Sequence, residues 1–247
     1  MARFSVQPGQ ILVINTQTYQ IMPHPSVPTM VFAQEGRKAL VYQLRHEDGL
    51  FALKVFKPLF RQPDLVQVCH RLEVITITGL EVCQRHCLTK QTNPNLLSQY
   101  PDLEYAVIMP WVQGSTWFDI LVAQIPLNTS DGRLLARNVA RVLSELEQKD
   151  SAHCDIAGGN LIVNTTTGEI SFVDVEDMFG PGLAMTTSFP QGTNGYQHRS
   201  SRSNSRGQWC AEGDRFAAAI LLSEMLAWHD PRIRQNAYGE QFFDPNE

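Results

Sequence analysis

His153-Cys154-Asp155-Ile156-Ala157-Gly158-Gly159-Asn160 opens the stretch that decides the fold, and Phe172-Val173-Asp174-Val175-Glu176-Asp177 closes it. Between them lie two β-like runs, Asn160–Val163 and Ile170–Val173, around the turn pair Thr167-Gly168, so a hairpin is expected. A hairpin of that length returns Asp174 to the side of Asn160. Asp155 and Asn160 bracket a loop that Gly158 and Gly159 leave free to bend. Taken alone, Asp155 is more commonly explained by a turn-forming role, and the acidic strand end by solvated charge. Jointly they bring carboxylate and amide oxygens together, the donors a hard divalent cation takes alongside phosphate.

Working outward, the chain before this stretch is β-rich. Short apolar runs occur at Ile11–Ile14, Thr29–Phe32, Leu40–Leu44, Leu50–Phe56 and Tyr105–Met109, and Asp48-Gly49 signals a hairpin. One helix interrupts them: Leu65, Val68, Cys69, Leu72, Ile75 and Ile77 recur at roughly helical spacing after Asp64, a residue suited to cap its start. Beyond Gly114 the pattern turns helical. Asp131 precedes Leu134, Leu135, Val139, Val142, Leu143 and Leu146, an amphipathic helix, and an apolar helix runs from about Glu212 to Trp228. The expected architecture is α+β in two lobes: a β-rich one over 1–111 with one helix, and a mostly helical one over 112–247, joined near Pro110–Gly114.

A chain of 247 residues with 43% hydrophobic content suffices for one large core or two smaller lobes. The net charge of −5 argues against nucleic acid or an anionic membrane as main partner. Five scattered cysteines suit reduced thiols, hence a cytoplasmic location. Cys83, His86 and Cys87 are close in sequence, but no further zinc ligands stand at a compact spacing, and ordinary buried cysteines explain them better. The start shows no signal-peptide pattern, and the apolar run Phe216–Trp228 is too short to span a bilayer.

Phosphoryl transfer needs a cation on the phosphates, metal-holding oxygens, and a carboxylate near the attacking hydroxyl. Lys54 ends the alternating strand Phe51-Ala52-Leu53-Lys54-Val55-Phe56, and Asp155, Asn160 and Asp174 follow in that order. The order resembles the protein kinase superfamily, over about Val31 to Trp228. Ala52-Leu53-Lys54 is similar to the third-strand Val-Ala-Ile-Lys motif, and His153–Asn160 to His-Arg-Asp-Leu-x-x-x-Asn. Asp174-Val175-Glu176 stands where Asp-Phe-Gly is expected. Gly192-Thr193-Asn194-Gly195-Tyr196 is similar to the close of an activation segment, and Asp214 to the Asp that opens the central helix of the large lobe and braces the catalytic loop.

The resemblance implies a two-lobed kinase-like fold, ATP with Mg²⁺ or Mn²⁺ as cofactors, and a protein substrate of unknown identity. In it, His153 and Asp155 belong to the catalytic loop, with Asp155 accepting or orienting the attacking hydroxyl. Lys54 holds the α- and β-phosphates, and Asn160 and Asp174 bind metal. Glu73 pairs with Lys54, with Glu81 a poorer choice. Met109 guards the back of the adenine pocket, and the carbonyl of Pro110 and the backbone of Val112 meet adenine. Gln34, Gly36, Ala39, Val41 and Ala52 line the nucleotide, in register with the Gly-rich loop and the third strand.

Departures qualify that picture. Of the Gly-rich loop only Gly36 remains, beside Glu35, Arg37 and Lys38. Cys154 replaces the arginine that in many kinases meets a phosphorylated loop, Ala157 replaces a lysine, and Glu176 replaces a glycine. His198-Arg199-Ser200 stands where Ala-Pro-Glu would be, and the large lobe is shortened after its central helix, as in a minimal lobe or a piece of a longer chain with further domains. Ser200, Ser201, Ser203 and Ser205, interleaved with Arg199, Arg202 and Arg206, are either an inert loop or sites of self-phosphorylation that tune substrate docking. The functions in competition are an active serine/threonine kinase, a pseudokinase within a larger signalling chain, and a small-molecule kinase.

Overall fold

A computed structural model describes residues 4–185, 193, 195, 196, 198 and 209–236. Gly192, Asn194 and the serine-arginine run from Arg199 to Arg206 lie outside the described residues. The chain divides into two compact units, Met1–Ile75 with Val82–Trp111, and Thr76–Glu81 with Val112–Glu247.

The first unit is a curled antiparallel sheet with short helices. Its elements run β1 (Ile11–Ile14), β2 (Gln17–Ile21), β3 (Pro23–His24), β4 (Val27–Val31), β5 (Ala33–Glu35), β6 (Ala39–His46), β7 (Gly49–Phe56), α1 (Leu65–Leu72), β8 (His86–Cys87), α2 (Pro94–Gln99) and β9 (Val107–Pro110). The main sheet has the order β1-β2-β6-β7-β9-β8, with β5 also pairing β6. The β6–β7 hairpin pairs Ala39 with Phe56 and His46 with Gly49 at its ends, as Asp48-Gly49 signals. Alternation then sorts the side chains. Leu53, Val55 and Ile108 face one core with Leu12, Ile14, Tyr19 and Leu44, while Phe56 and Val107 face the other with Ala39, Leu65 and Cys69 of α1.

Helix α1 is shorter than its apolar spacing predicts. It ends at Leu72, so Ile75 and Ile77 lie beyond it. The next residues, Val74-Ile75-Thr76-Ile77-Thr78, are all β-branched and lose side-chain freedom in a helix. Asp64 occupies the cap position but makes no side-chain hydrogen bond there.

The second unit contains β10 (Ser115–Thr116), α3 (Trp117–Val122), α4 (Thr129–Gln148), β11 (Leu161–Val163), β12 (Ile170–Phe172), α5 (Arg215–Ala227) and α6 (Pro231–Asn236). Thr116 and Asp119 form a reciprocal capping box at the start of α3. The long helix α4 begins two residues before Asp131, because the Asn128 side chain accepts from the Asp131 amide and caps it. Its apolar face, Leu135, Val139, Val142 and Leu146, is buried, and α4 packs on α5. The two backbones approach so closely at Gly132 that an added Cβ would sit 2.5 Å from the Met225 carbonyl oxygen. Thr76–Glu81, which the sequence reading assigns to the first lobe, belongs to the second unit. The Phe172 amide donates to the Gly79 carbonyl (2.8 Å), and Gly79 adopts φ +101°, which a residue with a side chain rarely does.

Candidate active site

In the second unit the hairpin register fixes the neighbours of the acidic loop. Leu161 pairs with Phe172 in β11–β12, so Asn160 and Val173 stand opposite each other just beyond the strands. The Val173 amide donates to the Asn160 carbonyl at 2.9 Å. Asp174 follows at once, exposed and in the left-handed region (φ 60°, ψ 47°). Across the loop, the Asn160 side-chain amide donates to the Asp155 carbonyl (2.8 Å) and to its carboxylate (3.0 Å). Those bonds orient the Asn160 amide so that nitrogen faces Asp155, leaving its oxygen to act as a ligand.

His153 supports this loop from beneath. It is 0% exposed, and its Nε2 lies 2.8 Å from the Val173 carbonyl, which fixes the proton on Nε2. Nδ1 is buried with no hydrogen-bond partner among the described residues. The imidazole is thus held through Nε2. Its ring also lies 5.5 Å from that of Phe172.

Asp214 ties the loop to helix α5. Its two carboxylate oxygens accept from the His153 amide (2.5 Å) and the Cys154 amide (2.8 Å), and it makes no capping bond to its own helix. These amides have no other route to satisfaction, because Cys154 turns the chain at φ 64° and is itself buried. Burial raises the Asp214 carboxyl above its ordinary range, while the neighbouring His153 and then the two amides pull it back toward ionisation. Asp214→Ala strands both buried N–H groups, each costing about 1–3 kcal/mol. Urea melts of this variant will show its midpoint lowered by more than any single surface substitution. Asp214→Asn recovers only part of that loss, since one of its two polar atoms is itself a donor.

Sequence reasoning did not single out Glu224 and Trp117. The buried Glu224 carboxylate accepts from Tyr196 Oη (2.7 Å) and Trp117 Nε1 (3.0 Å). Tyr196, the last residue of the Gly192–Tyr196 motif, is thereby anchored to α5. A glutamate within an otherwise apolar helix was the available signal.

In the first unit, Lys54 is 3% exposed, so it is not a solvent-seeking surface lysine. Its Nζ lies 5.5 Å from the centre of the Phe56 ring. Cross-strand pairing of Lys54 with Val107 and of Ala52 with Met109 puts these four on one face of the sheet. Met109 is buried, and the guanidinium of buried Arg85 reaches its sulfur at 3.2 Å. Pro110 ends β9 opposite Phe51, and Val112 opens the second unit.

The Gly36 segment forms a tight hairpin. Gln34 pairs with Val41 and Glu35 with Leu40, and the Gly36 amide donates to the Ala39 carbonyl at 2.8 Å. Gln34 and Gly36 are exposed, Val41 is half-buried and Ala39 is buried in the α1 cluster. Glu35, whose charge would oppose phosphate, forms an ion pair with Lys57 (2.8 Å).

One expected pairing differs. Glu73 is the residue after α1, and its carboxylate lies 3.6 Å from His86 Nδ1, where the sequence reading pairs it with Lys54. The early end of α1 explains this. Gln84 Nε2 donates to the Glu73 and Ile75 carbonyls, holding the chain beside the His86 strand. Glu81 accepts from the Gly79 amide and from Ser171 Oγ, a structural role. In the second unit Glu176 and Asp177 are buried in a short 3-10 turn after Asp174.

No family model matches the chain. Over 147 residues, 56% of its length, the chain is 26% identical to the serine/threonine-protein kinase PrkC of Bacillus subtilis (strain 168), and it spans 22% of that protein. It is similar in structure to the kinase PK-1 of Cydia pomonella granulovirus, with a TM-score of 0.57 and 17% identity, covering 85% of this chain and 71% of that one. The fold is thus the two-lobed α+β fold of protein kinases. By that fold, together with the PrkC similarity, the chain stands in the protein-kinase-like superfamily. No helix among the described residues is long and apolar enough to cross a membrane.

Proposed function

We propose that the chain is an ATP-dependent phosphotransferase, a protein serine/threonine kinase that moves the γ-phosphoryl group of ATP to a hydroxyl. The observation that carries this reading is the Asp155–Asn160 pair, held by two hydrogen bonds and braced through Asp214. Asn160 through its amide oxygen and Asp174 through its carboxylate would hold Mg²⁺ or Mn²⁺. The donor set fits: both are hard oxygens, and the hairpin register sets the two residues next to each other. When bound, the metal neutralises charge on the phosphates. Asp155 would orient the attacking hydroxyl and Lys54 would hold the α- and β-phosphates. The amide-to-Asp155 bonds keep that carboxylate in one rotamer, a preorganisation that lowers the entropy cost of reaction.

Ligand that binds only the native state stabilises it by about 2.7 kcal/mol at a hundred times its dissociation constant. Millimolar ATP with Mg²⁺ will therefore raise the thermal midpoint of the chain, and ATP with EDTA will raise it less. An unchanged midpoint at saturating nucleotide would sink nucleotide binding. Labelled ATP with a generic protein substrate, followed by phosphosite mapping and repeated with Asp155→Asn, then tests transfer itself. A second reading, a nucleotide-binding regulatory module, is favoured by the tight Gly36 hairpin with its single glycine. It predicts the thermal shift without labelled product.

A further inference from the structure

From Phe4 to Gln34 the chain holds no Asp, Glu, Lys or Arg, although charged residues make up 18% of the whole. That stretch builds one end of the main sheet. Strand β1 is the terminal strand there, and it pairs only with β2. The Ile21 amide donates to the Gln10 carbonyl, so Gln10, Leu12 and Ile14 turn their backbone groups toward β2. Ile11 and Val13, alternating with them, turn theirs outward, and no backbone bond from another described residue meets them there.

The side chains of this edge are apolar on both faces. Leu12 and Ile14 are buried in the core of the first unit. On the opposite face Ile11 is 52% and Val13 54% exposed, beside the exposed Gln20 and Thr18 of β2. Edge strands are ordinarily guarded by a lysine, an inward charge, a proline or a bulge, because open N–H and C=O groups template pairing with another chain. Ile11–Ile14 carries none of these, and its register with β2 is unbroken. The first charged residue across the strands is Arg45, on β6 opposite Gln20. An apolar centre with polar and then charged borders has the composition of an interface, whose core is depleted of charge.

We propose that β1 is a dimerisation edge: two copies of this chain pair their β1 strands antiparallel about a two-fold axis at Leu12, joining their sheets into one. The occupant follows from the edge itself. With Leu12 opposite Leu12 of the second copy, Ile11 stands opposite Val13, and the outward N–H and C=O groups of both residues find their complements. The exposed side chains then meet in two equivalent pairs, isoleucine against valine, a favourable cross-strand match. A charged partner would find no counter-charge on residues 4–34, whereas a second copy brings the same neutral surface and no like charges to repel. So short an edge makes a reversible dimer whose population depends on concentration.

Sedimentation equilibrium of the full chain, from low to high micromolar concentration, tests this. The mass is expected to climb from 27.8 kDa toward twice that value. Val13→Lys alone and Ile11→Glu alone should each sediment as monomers, because each symmetric dimer would bury two copies of one charge. Mixed in equal amounts the two variants should associate again, since the pairing sets the new lysine of one chain opposite the new glutamate of the other. Both positions are exposed, and thermal midpoints close to that of the wild type will show that the variants are folded. A wild type that stays monomeric throughout the range would overturn the proposal. So would a dimer that survives either substitution, which would place the interface elsewhere. Two monomeric variants that fail to associate on mixing would overturn the pairing about Leu12.

Discussion

Lys54→Met is expected to lower the rate of phosphoryl transfer by about 100- to 1000-fold or more, the loss found when one preorganised charge is removed from a developing anion. Methionine keeps the length and apolar stem of the side chain. The stem is what β7 requires, since Lys54 is 3% exposed and lies along Phe56. The ammonium is not part of the apolar packing of that face, where Val41 and Val107 are the cross-strand partners of Lys54 and Ala52 lies two residues before it on β7. The thermal midpoint without nucleotide should therefore move far less than activity does, and the ATP·Mg²⁺-dependent rise should shrink. Initial rates and paired melts measure both. Near wild-type turnover in Lys54→Met would hand the phosphate-holding role to Arg37 or Lys38 in the Gly36 turn, and their alanine variants would then carry the loss.

Much of the fold was legible because it is written in periodicity and turn chemistry. The alternation in Phe51–Phe56, the Asp48-Gly49 turn and the heptad-like spacing from Leu135 to Leu146 each correspond to an element in the structure. Strand β2 was harder to see. Gln17-Thr18-Tyr19-Gln20-Ile21 is mostly polar, and it is a strand because β1 and β6 supply its backbone partners. Helix α1 shows the opposite error. Ile75 and Ile77 continue its apolar spacing, but spacing does not report the cost of a β-branched run, and the chain leaves the helix at Glu73.

The candidate site divides along the same line. Local order along one hairpin sets Asn160 opposite Val173, one residue before the Asp174 that a count of residues returns to its side. The role of Asp214 also came through, since a helix-opening aspartate offers two acceptors and a tight loop offers stranded amides. Partner choice between distant segments did not. Glu73 meets His86 because Gln84 holds the intervening chain, and the Glu224 bonds to Tyr196 and Trp117 join residues far apart in sequence. Such pairings depend on where helices end and on how they stack, which residue type alone does not encode.

Asp174→Asn is expected to remove transfer at Mg²⁺ concentrations that saturate the wild type, with a loss comparable to that of Lys54→Met. The substitution deletes one negative charge from a proposed metal ligand while preserving size and one carbonyl oxygen. Asparagine also tolerates the left-handed backbone that this position adopts at φ 60°, where most residues would be strained. Asp174 is exposed, so the exchange leaves no buried group without a partner on its own side chain. The fold should therefore survive, and the midpoint without ligand should stay close to that of the wild type. What disappears is the difference between ATP·Mg²⁺ and ATP with EDTA in the thermal melt. Asparagine still offers a neutral oxygen, and Mn²⁺ binds such donors more tightly than Mg²⁺, so raising Mn²⁺ should recover part of the rate. Full activity of Asp174→Asn in Mg²⁺ would show that this carboxylate does not hold the metal. Loss of activity with an unchanged metal-dependent shift would instead assign it to the transfer step and return metal binding to Asn160 and the buried acids that follow Asp174.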